Sequence, residues 1–592
     1  MKKITDIIKA LCIISLLGTP LSLAAQDDDQ SLNRELTLER EYNPSVQDAN
    51  KVNTLPAVRE PDVTRMPIDY AILSIPAEPG REIGTLAAER LLSDMTYNNR
   101  RGYLNLGVGT YRNINGDAGY HILSTDKDRL NLFLSHRSSN GDVKYQESYL
   151  KGEKVRAKLN NNLGGLNYRH EFSRAALRLG AMYGYSAFNY YGIPAPSMYS
   201  VWPSPVVDTE TNQQSRQITL NAGLESKKTE PVGYVLDVDY TGFAYKYAWD
   251  NSMDGITEHS TGARMNLYKM FGADRWIGLA ARMNSFFYNL PEASSATFAN
   301  YMEGTLTPYY QVEGDFWNLK LGMNLMFVTP RNDEKMKVFI TPNAGFDLKA
   351  GSGTLLYLNA GGDIRSNSAF LLSRENLYTD PYMGVTPSRT WLDAVAGIKT
   401  AALPGFWFHA FAEYKRTDDD YFFIPYLMPE GFGNVSRVLS YDSKLLRVGV
   451  EVKYAYRKLV EINLKGVYNN WNEEKEILRD EQIQTPDFQL IPERKAYGRP
   501  QRELMADIHV RPIGKVALTL NYRLSAGRKT LLYNKNEEMK DISELNFTGA
   551  YIFNDTWGAY LKLNNLLFKK YELIYGYPLQ GFNLMAGINI NF

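Results

Sequence analysis

From about residue 101 to its end, the chain repeats one unit in which hydrophobic and polar residues alternate with a period of two before a turn. Because successive side chains of a β-strand point to opposite faces, this alternation predicts strands with one apolar and one polar face. A clear example is the series Leu446, Val448, Val450, Val452, Tyr454 and Tyr456. The pattern therefore predicts an all-β protein whose strands meet hydrocarbon on one side and water on the other.

Strand length and the connections between strands distinguish a membrane barrel from a soluble sheet. Soluble strands average about 5–6 residues, whereas these segments approach the ~9–11 residues that a tilted strand needs to cross a bilayer. Tight turns, such as 350–353 and 457–458, alternate with longer irregular stretches. The longer stretches include 191–213, 366–389, 418–437 and 473–497. Ten turns and eleven loops predict a transmembrane antiparallel β-barrel of about 22 strands over 101–592, with its N- and C-termini on the same, periplasmic side.

The last strand carries a separate signal. Its outward positions are Phe582, Leu584, Ala586, Ile588, Ile590 and Phe592, and the chain stops on that aromatic residue. A terminal alternating strand of this kind resembles the signal that outer-membrane proteins present to the barrel-assembly machinery, which can pair with its edge by strand addition. We therefore expect this machinery and outer-membrane lipids as partners.

The N-terminus predicts export. Residues 1–24 combine a basic start, an apolar centre and a small-x-small ending at Ser22-Leu23-Ala24, as a secretory signal peptide does. Residues 25–100 contain six prolines and predict an extended arm, running along the lumen wall or docking on a partner, rather than a folded domain. Because the only cysteine, Cys12, lies in the signal, disulfides and thiol sites are excluded from the exported protein.

Composition narrows the function further. The 66 Lys and Arg balance 66 Asp and Glu, so no basic surplus favours nucleic acid as a partner. The 41 Tyr, 25 Phe and 8 Trp suit the aromatic girdles of a membrane barrel. The six histidines are scattered without metal-ligand spacing, and no set of catalytic residue types converges. We therefore expect no enzyme activity, cofactor or metal centre.

Two aromatic clusters in the predicted loops are candidates for contact with a ligand or a surface protein. They are Tyr190, Tyr191, Tyr199 and Trp202, and Tyr421, Phe422, Phe423, Tyr426 and Phe432. Exposed rings of this kind can stack on sugars or anchor a protein. The alternative is that the rings pack against one another to fold the loops over a wide barrel mouth. The neighbouring Asp418, Asp419 and Asp420 could hold Ca²⁺ or simply form a solvated loop tip.

The polar strand faces carry both signs of charge, as in Arg447, Glu451, Lys453, Glu461 and Lys465. A strongly ion-selective pore would favour one sign, so this alternation predicts a lumen wall joined by salt bridges or filled by peptide. A barrel of this size left open would also leak, and we expect an occluder.

The C-terminal stretch 564–592, NNLLFKKYELIYGYPLQGFNLMAGININF, resembles the last hairpin of TonB-dependent transporter barrels. The stretches 102–111 and 376–412 are also similar to plugless TonB-receptor-like proteins of the Bacteroidota. The resemblance implies an outer-membrane barrel. Members of that family place a plug of more than a hundred residues before the barrel, whereas 25–100 is shorter, so the gating mechanism is not carried over. Glu35, Leu36, Thr37 and Leu38 could act as a strand-adding segment for a periplasmic partner.

Two functions stay open at this stage. The resemblance implies a TonB-dependent-receptor-like barrel that takes part in nutrient uptake across the outer membrane of a Gram-negative cell. The missing plug favours the alternative, a non-transporting barrel that serves as scaffold or accessory subunit of an outer-membrane complex. No ligand identity follows from the sequence.

Overall fold

The computed structural model describes residues 100–592 except 148–149, 151, 194–211, 228–231, 249–253, 273, 293, 295, 330–335, 352, 427–434, 473–493 and 533–534. The signal peptide 1–24, the arm from 25 to 99, the segment Glu35–Leu38 and the loop residues Tyr199, Trp202 and Phe432 therefore lie outside the described residues. None of the helices in the described part is long and apolar enough to cross a bilayer.

The alternating segments form one antiparallel sheet of 22 strands, which confirms the predicted all-β architecture and the predicted number of strands. The barrel strands are β1 (Gly102–Gly109), β2 (Asn113–Ser124), β3 (Asp128–Lys144), β4 (Lys154–Glu171), β5 (Ala175–Asn189), β6 (Asn212–Ser226), β7 (Val232–Tyr245), β8 (Thr257–Met270), β9 (Arg275–Asn289), β10 (Tyr301–Glu313), β11 (Trp317–Val328), β12 (Lys337–Lys349), β13 (Thr354–Arg365), β14 (Ser388–Leu403), β15 (Phe406–Tyr426), β16 (Val435–Tyr456), β17 (Val460–Asn472), β18 (Arg502–Ile513), β19 (Val516–Ala526), β22 (Ile542–Ile552), β23 (Trp557–Asn564) and β26 (Asn583–Asn591). Two small hairpins lie in the connections: β20 (Lys529–Leu532) with β21 (Lys535–Glu538), and β24 (Glu572–Ile574) with β25 (Tyr577–Pro578).

The sheet closes on itself because β1 pairs with β26, in a register that runs from Tyr103 opposite Asn591 to Gly109 opposite Met585. Closure leaves the barrel wall without an open strand edge. The short connections, such as 172–174 and 457–459, lie together at one end of the barrel, which we call the tight-turn end. The longer connections, together with the three-residue link 110–112 between β1 and β2, lie at the opposite end, the loop end.

The two faces of the wall differ as the alternation predicts. Val448 and Val450 point outward and keep 45% and 42% of their surface exposed, whereas Arg447 and Lys465 line the interior. The largest cluster of buried apolar side chains does not fill the barrel; it lies inside the loop end. The wall thus resembles a tube with an apolar outside and a polar lumen.

Two predicted loops have more structure than the sequence suggested. The boundaries expected for 418–437 are wrong, because β15 continues to Tyr426 and β16 already begins at Val435. A bulge between Thr417 and Asp420, with Asp419 at φ 54°, absorbs the irregular residues and lets the pairing resume. In the connection between β13 and β14, Ala369–Glu375 form a short helix, α1. We call this connection, residues 366–387, the cap.

Candidate functional site: a capped cavity in the barrel lumen

A cavity of about 1280 Å³ lies in the barrel lumen. Inward-facing side chains of many strands form its wall, and Ser368, Phe370, Leu371, Arg374 and Glu375 of the cap line its loop end. Pre-formed concave spaces in which polar groups converge are the usual places for ligand binding. The cavity and its cap are therefore the candidate functional site.

The cap crosses the mouth of the barrel. Phe370 and Leu372 of α1 share one buried cluster with Phe188 and Tyr190 at the end of β5 and with Tyr421 on β15. β5 and β15 are ten strands apart in a sheet of 22, so they lie on nearly opposite sides of the barrel. The cluster consequently spans the opening. Burial of each α1 side chain contributes roughly 1.5–3 kcal/mol to holding the cap in place.

Two buried carboxylates of the barrel strands hold the first half of the cap. The backbone N–H of Phe370 donates to Glu258 Oε2 at 3.2 Å, and the hydroxyl of Ser366 donates to Glu303. Asn284 Nδ2 donates to the same carboxylate of Glu303 at 3.0 Å. Glu258 and Glu303 are 0% and 1% exposed. Detaching the cap would remove these donors from buried acceptors, which costs free energy.

Glu375, at the end of α1, is the centre of a second anchor. Its Oε2 lies 2.7 Å from Arg365 Nη2 and accepts from the hydroxyl of Tyr421, while its Oε1 lies 3.6 Å from Arg499 Nη2. The guanidinium of Arg365 also lies 4.6 Å above the ring of Tyr421. The carboxylate is thus shared between β13, β15 and the segment that precedes β18.

A third anchor joins the cap to opposite sides of the barrel. Thr379 forms an isolated parallel bridge with Ser436 on β16, and its carbonyl accepts from the hydroxyl of Tyr190 at 3.3 Å. Asp380 Oδ2 lies 3.3 Å from Arg437 Nε. The cap is therefore fixed at its start, at its helix and beyond its helix. The sequence predicts an occluder, and the cap lies across the lumen at the loop end.

The cavity lining carries more positive than negative charge. Twelve basic side chains face seven acidic ones. The basic ones are Arg137, Arg178, Arg264, Arg282, Arg365, Arg374, Lys415, Arg447, Lys465, Arg499, Arg523 and Arg528. The acidic ones are Asp237, Asp239, Asp363, Glu375, Glu413, Asp420 and Glu503. The excess creates a positive potential in a space bounded by protein, which favours anions.

Several of these charges pair across the wall, as the mixed signs of the polar faces predict. Arg178 Nη2 lies 3.0 Å from Asp237 Oδ1, and Arg447 Nη1 lies 3.1 Å from Glu413 Oε2. Arg282 pairs with Asp363. Apart from Glu413, these side chains keep a quarter or more of their surface exposed, so such pairs contribute little to stability and mainly position charge along the cavity.

The predicted aromatic residues lie near the cavity, but most of them are buried. Tyr190, Tyr191, Tyr421 and Phe422 are at most 6% exposed, and Phe423 and Tyr426 pack partly buried against the cluster beneath the cap. Phe422 stacks on Tyr441 at a centroid distance of 4.5 Å. Tyr421–Tyr426 belong to β15 rather than to a loop. These rings fold the loop end, which was the alternative to an exposed stacking surface.

A second aromatic group joins the cap to the last loop. The rings of Tyr378 and Tyr577 stack with centroids 3.7 Å apart, and Tyr191 meets both edge-on. The hydroxyl of Tyr378 donates to that of Tyr191 at 3.3 Å. Burial raises the pKa of Tyr378 to about 12, so the hydroxyl stays protonated and keeps its donor at physiological pH.

The acidic tripeptide on the β15 bulge is engaged by other side chains. Asp418 accepts from the indole N–H of Trp391, Arg389 Nη2 lies 2.5 Å from Asp419 Oδ2, and Ser443 Oγ donates to Asp420 at 2.7 Å. Across the described ranges, no cluster of three or more His, Cys, Asp or Glu side chains is arranged to hold a metal ion. Each of the three carboxylates is therefore engaged by a protein side chain.

The last strand pairs on both edges, with β23 and with β1. Leu584, Ile588 and Phe592 are exposed on the outer surface, and Ile590 points the same way. Phe582 precedes the strand and stacks on Phe568 at 5.0 Å. In the closed barrel the strand edges are thus occupied, so an assembly role for these residues would precede closure.

Sequence reasoning missed the cap and its two carboxylates. Ser368 caps α1 by accepting a hydrogen bond from the backbone N–H of Leu371, and the following AFLLSRE has good helix formers. That N-cap signal within a long loop could have revealed the helix. Glu258 and Glu303 sit in ordinary alternating strands and give no local signal.

The fold is similar to that of solved outer-membrane proteins. The FrpB iron transporter from Neisseria meningitidis (F3-3 variant) matches with a TM-score of 0.62 at 11% identity, over 86% of this chain and 83% of that chain. The pyoverdine outer membrane receptor FpvA from Pseudomonas aeruginosa PAO1 matches with a TM-score of 0.59 at 11% identity, over 83% and 78%. A chain of the FpvAI–pyocin S2 complex matches with a TM-score of 0.58 at 11% identity, over 83% and 70%.

At these identities the likeness shows the barrel fold. No protein-family model matches the sequence, and no curated protein matches it significantly.

Proposed function

We propose that this protein is an integral barrel of the Gram-negative outer membrane, with its tight-turn end and both termini in the periplasm. The apolar outer surface of the wall supports this placement, because hydrocarbon is the medium that stabilises such a surface. The prediction to test is a heat-modifiable band in the outer-membrane fraction. Recovery in the soluble periplasm would overturn the proposal.

Within that membrane, the barrel takes part in nutrient uptake in the manner of a TonB-dependent receptor. The observation that carries this function is the 1280 Å³ charged cavity inside the lumen beneath a folded cap. The similar barrels of an iron transporter and a pyoverdine receptor support the same interpretation. Contact with a solute would begin at the loop end, where the aromatic residues around Tyr191 and Phe422 fold the surface.

A strain lacking the gene should lose growth on one nutrient, and the loss should be restored by the wild-type chain. The double variant Lys465→Glu/Arg374→Glu, expressed in the same strain, should reach the membrane but should not restore growth, because both side chains line the cavity. Full growth of the deletion strain on every nutrient tested would remove the support for uptake.

The alternative function, a non-transporting scaffold or accessory subunit, is favoured by the three anchors that fix the cap. A barrel whose mouth is held shut by Glu258, Glu303 and Glu375 is suited to a static role. Gentle purification should then yield a stoichiometric complex. The FpvAI–pyocin S2 complex is an example of a similar barrel with a protein partner.

The remaining assignments are proposals that rest on the sequence. They are the signal peptide 1–24, the plugless arm 25–100, the periplasmic partner segment Glu35–Leu38, the surface partner residue Trp202, and the assembly signal at Phe582–Phe592. Deleting 25–100 and measuring planar-bilayer conductance tests whether the arm adds to the occlusion by the cap. Unchanged conductance would mean that it does not.

A further inference from the structure

The outer surface of the β3–β4 hairpin changes character along its length. In the half near the tight-turn end, Leu134 and Leu166 point outward and are exposed. In the half near the loop end, the outward side chains are Lys144, Lys154, Arg156 and Lys158, all of them exposed. We call these four cationic side chains the rim patch.

The period of two shows that the rim patch and the leucines share the outer face. Lys144 follows Leu134 by ten residues on β3, and Lys158 precedes Leu166 by eight on β4. The pairing of β3 with β4 runs from Asp128 opposite His170 to Lys144 opposite Lys154 without a register shift. The inward positions at the same height are apolar, since Val143 is buried.

The register places two like charges directly opposite each other. Lys144 faces Lys154 across the strands, an arrangement that destabilises a sheet when no anion lies between them. Arg156 pairs with Asp142 at 2.8 Å. Among the described residues, no acidic side chain forms an ion pair with Lys144, Lys154 or Lys158. Three cations on one surface therefore lack an acidic partner within the described chain.

Between the leucines and the rim patch, the outer face presents polar uncharged groups. His136 Nδ1 lies 2.7 Å from Asn162 Oδ1, and Asn162 Nδ2 donates to Asn160 Oδ1 at 2.8 Å. His136 Nε2 also lies 3.0 Å from Ser138 Oγ. Amides and hydroxyls in this arrangement can exchange hydrogen bonds with the hydroxyls of sugars.

The three zones follow one another along the strands in a fixed order. At ~3.3 Å per residue and a tilt of about 40°, the rim patch lies roughly 15–25 Å above Leu134 along the barrel axis. Apolar side chains come first, then amides and hydroxyls, then cations. A glycolipid whose acyl chains carry an acidic saccharide headgroup presents the complementary groups in the same order.

We propose that the rim patch binds the anionic saccharide headgroup of an outer-leaflet glycolipid, with its phosphate or carboxylate groups between Lys144 and Lys154 and beside Arg156 and Lys158. The inference rests on the proposed placement in the outer membrane. Bound anions relieve the repulsion of the paired lysines, and the amide groups below contact the sugars. The glycolipid is thus an outer-leaflet partner of one sector of the barrel.

The test uses the full-length barrel purified in detergent and rough-type lipopolysaccharide as probe. Wild-type protein should retain the glycolipid in native mass spectrometry, whereas the triple variant K154Q/R156Q/K158Q should retain it at least tenfold less. Dephosphorylated lipopolysaccharide and phosphatidylglycerol distinguish the source of the anion: both should bind the wild type more weakly than the intact glycolipid. The control Lys269→Gln removes an outward-facing cation near the tight-turn end of β8 and should leave retention unchanged.

A second variant separates binding from folding. Lys144→Glu places an acid opposite Lys154, so it should raise the unfolding temperature in detergent alone while lowering glycolipid retention. A purely structural role of the patch predicts that both readouts move in the same direction. Retention by the triple variant equal to wild type, or equal binding of phosphatidylglycerol, would overturn the inference. Outer-membrane fractionation of the wild type tests the placement separately, so failure of the inference and of the proposed function are distinguishable.

Discussion

In the β3–β4 hairpin, apolar and polar residues alternate along both halves, but the apolar residues are on opposite faces in the two halves. In the wall, leucines point outward and polar groups such as Arg137 point into the lumen; at the loop end, Val143 points inward and lysines point outward. The strand period fixes only which residues share a face. The type of residue on a face depends on what that face contacts. At the loop end, the inner face contacts apolar side chains of the folded cap, so apolar residues point inward there.

The largest loss of stability should come from breaking the anchor at Glu375, and the matched comparison is an ion pair of the wall. Glu375→Ala leaves Arg365 and Tyr421 without the buried carboxylate that they share, at a cost of about 3–5 kcal/mol. Limited proteolysis should then cleave within 366–387 while the barrel stays heat-modifiable. Asp237→Ala removes a partner of Arg178 whose side chain is 36% exposed, and it should cost less than ~1 kcal/mol. Equal protease sensitivity of the two variants would contradict the contrast.

The outer surface of the wall should tolerate an added charge less well than the outer surface at the loop end. Val450→Arg puts a cation in the middle of the apolar band on β16 and should destabilise the membrane-inserted barrel by about 2–4 kcal/mol. Asn160→Arg adds the same charge at the loop end of β4, where the surface is polar, and should change stability by no more than ~0.5 kcal/mol. Urea titrations in lipid vesicles measure both. A similar loss for both variants would argue against an apolar medium around the wall.

A pH-dependent effect is expected at Glu572 on β24. Burial raises its pKa to about 7, although Gly576 donates a backbone hydrogen bond to it at 2.8 Å. Between pH ~4.5 and 7 the folded state therefore binds more protons than the unfolded state, so local stability should fall as pH rises, by up to about 3 kcal/mol. Protection factors of 571–578, which divide the intrinsic exchange rate at each pH by the observed one, measure this fall between pH 5 and pH 8.

The variant Glu572→Gln should abolish that pH dependence, whereas Asp142→Asn, at the exposed surface of the rim, should preserve it. A lower protection factor at pH 5 than at pH 8 in the wild type would contradict the expected sign.

The smallest effect compares two tyrosines. Tyr378→Phe removes the hydrogen bond to Tyr191 beneath the cap and should cost about 1 kcal/mol. Tyr454 lies on the outer wall at 41% exposure, and Tyr454→Phe keeps its ring there, so no measurable change is expected. Thermal unfolding monitored at the loop end provides the measurement. If Tyr454→Phe lowered the unfolding temperature more than Tyr378→Phe, the expected contribution of the Tyr378 hydroxyl would be contradicted.

The wall was predictable because each strand carries its own signal. Alternation through Leu446–Tyr456 and turn residues such as those at 350–353 specify strand and turn locally, so the number of strands follows by counting. The faces were equally accessible, since Arg447 and Lys465 were assigned to the lumen from parity alone.

The cap was not predictable in the same way, because its contacts join distant parts of the chain. Tyr190 reaches Thr379, and Glu258 reaches Phe370, more than a hundred residues away in each case. The described aromatic residues lie at the loop end, but their burial depends on partners that no local pattern specifies. The bulge at Asp419 interrupts the alternation, so the continuation of β15 to Tyr426 could not be predicted from the sequence.

The seam between β1 and β26 sets an order of events for building the barrel. Every other neighbouring pair in the wall is adjacent in the chain or separated by one small hairpin, whereas Arg100 and Asn591, joined by a hydrogen bond of 2.8 Å, are 491 positions apart. Local pairings form quickly and distant ones slowly. The tube can therefore grow one hairpin at a time, but only the arrival of the final residues allows it to become a ring.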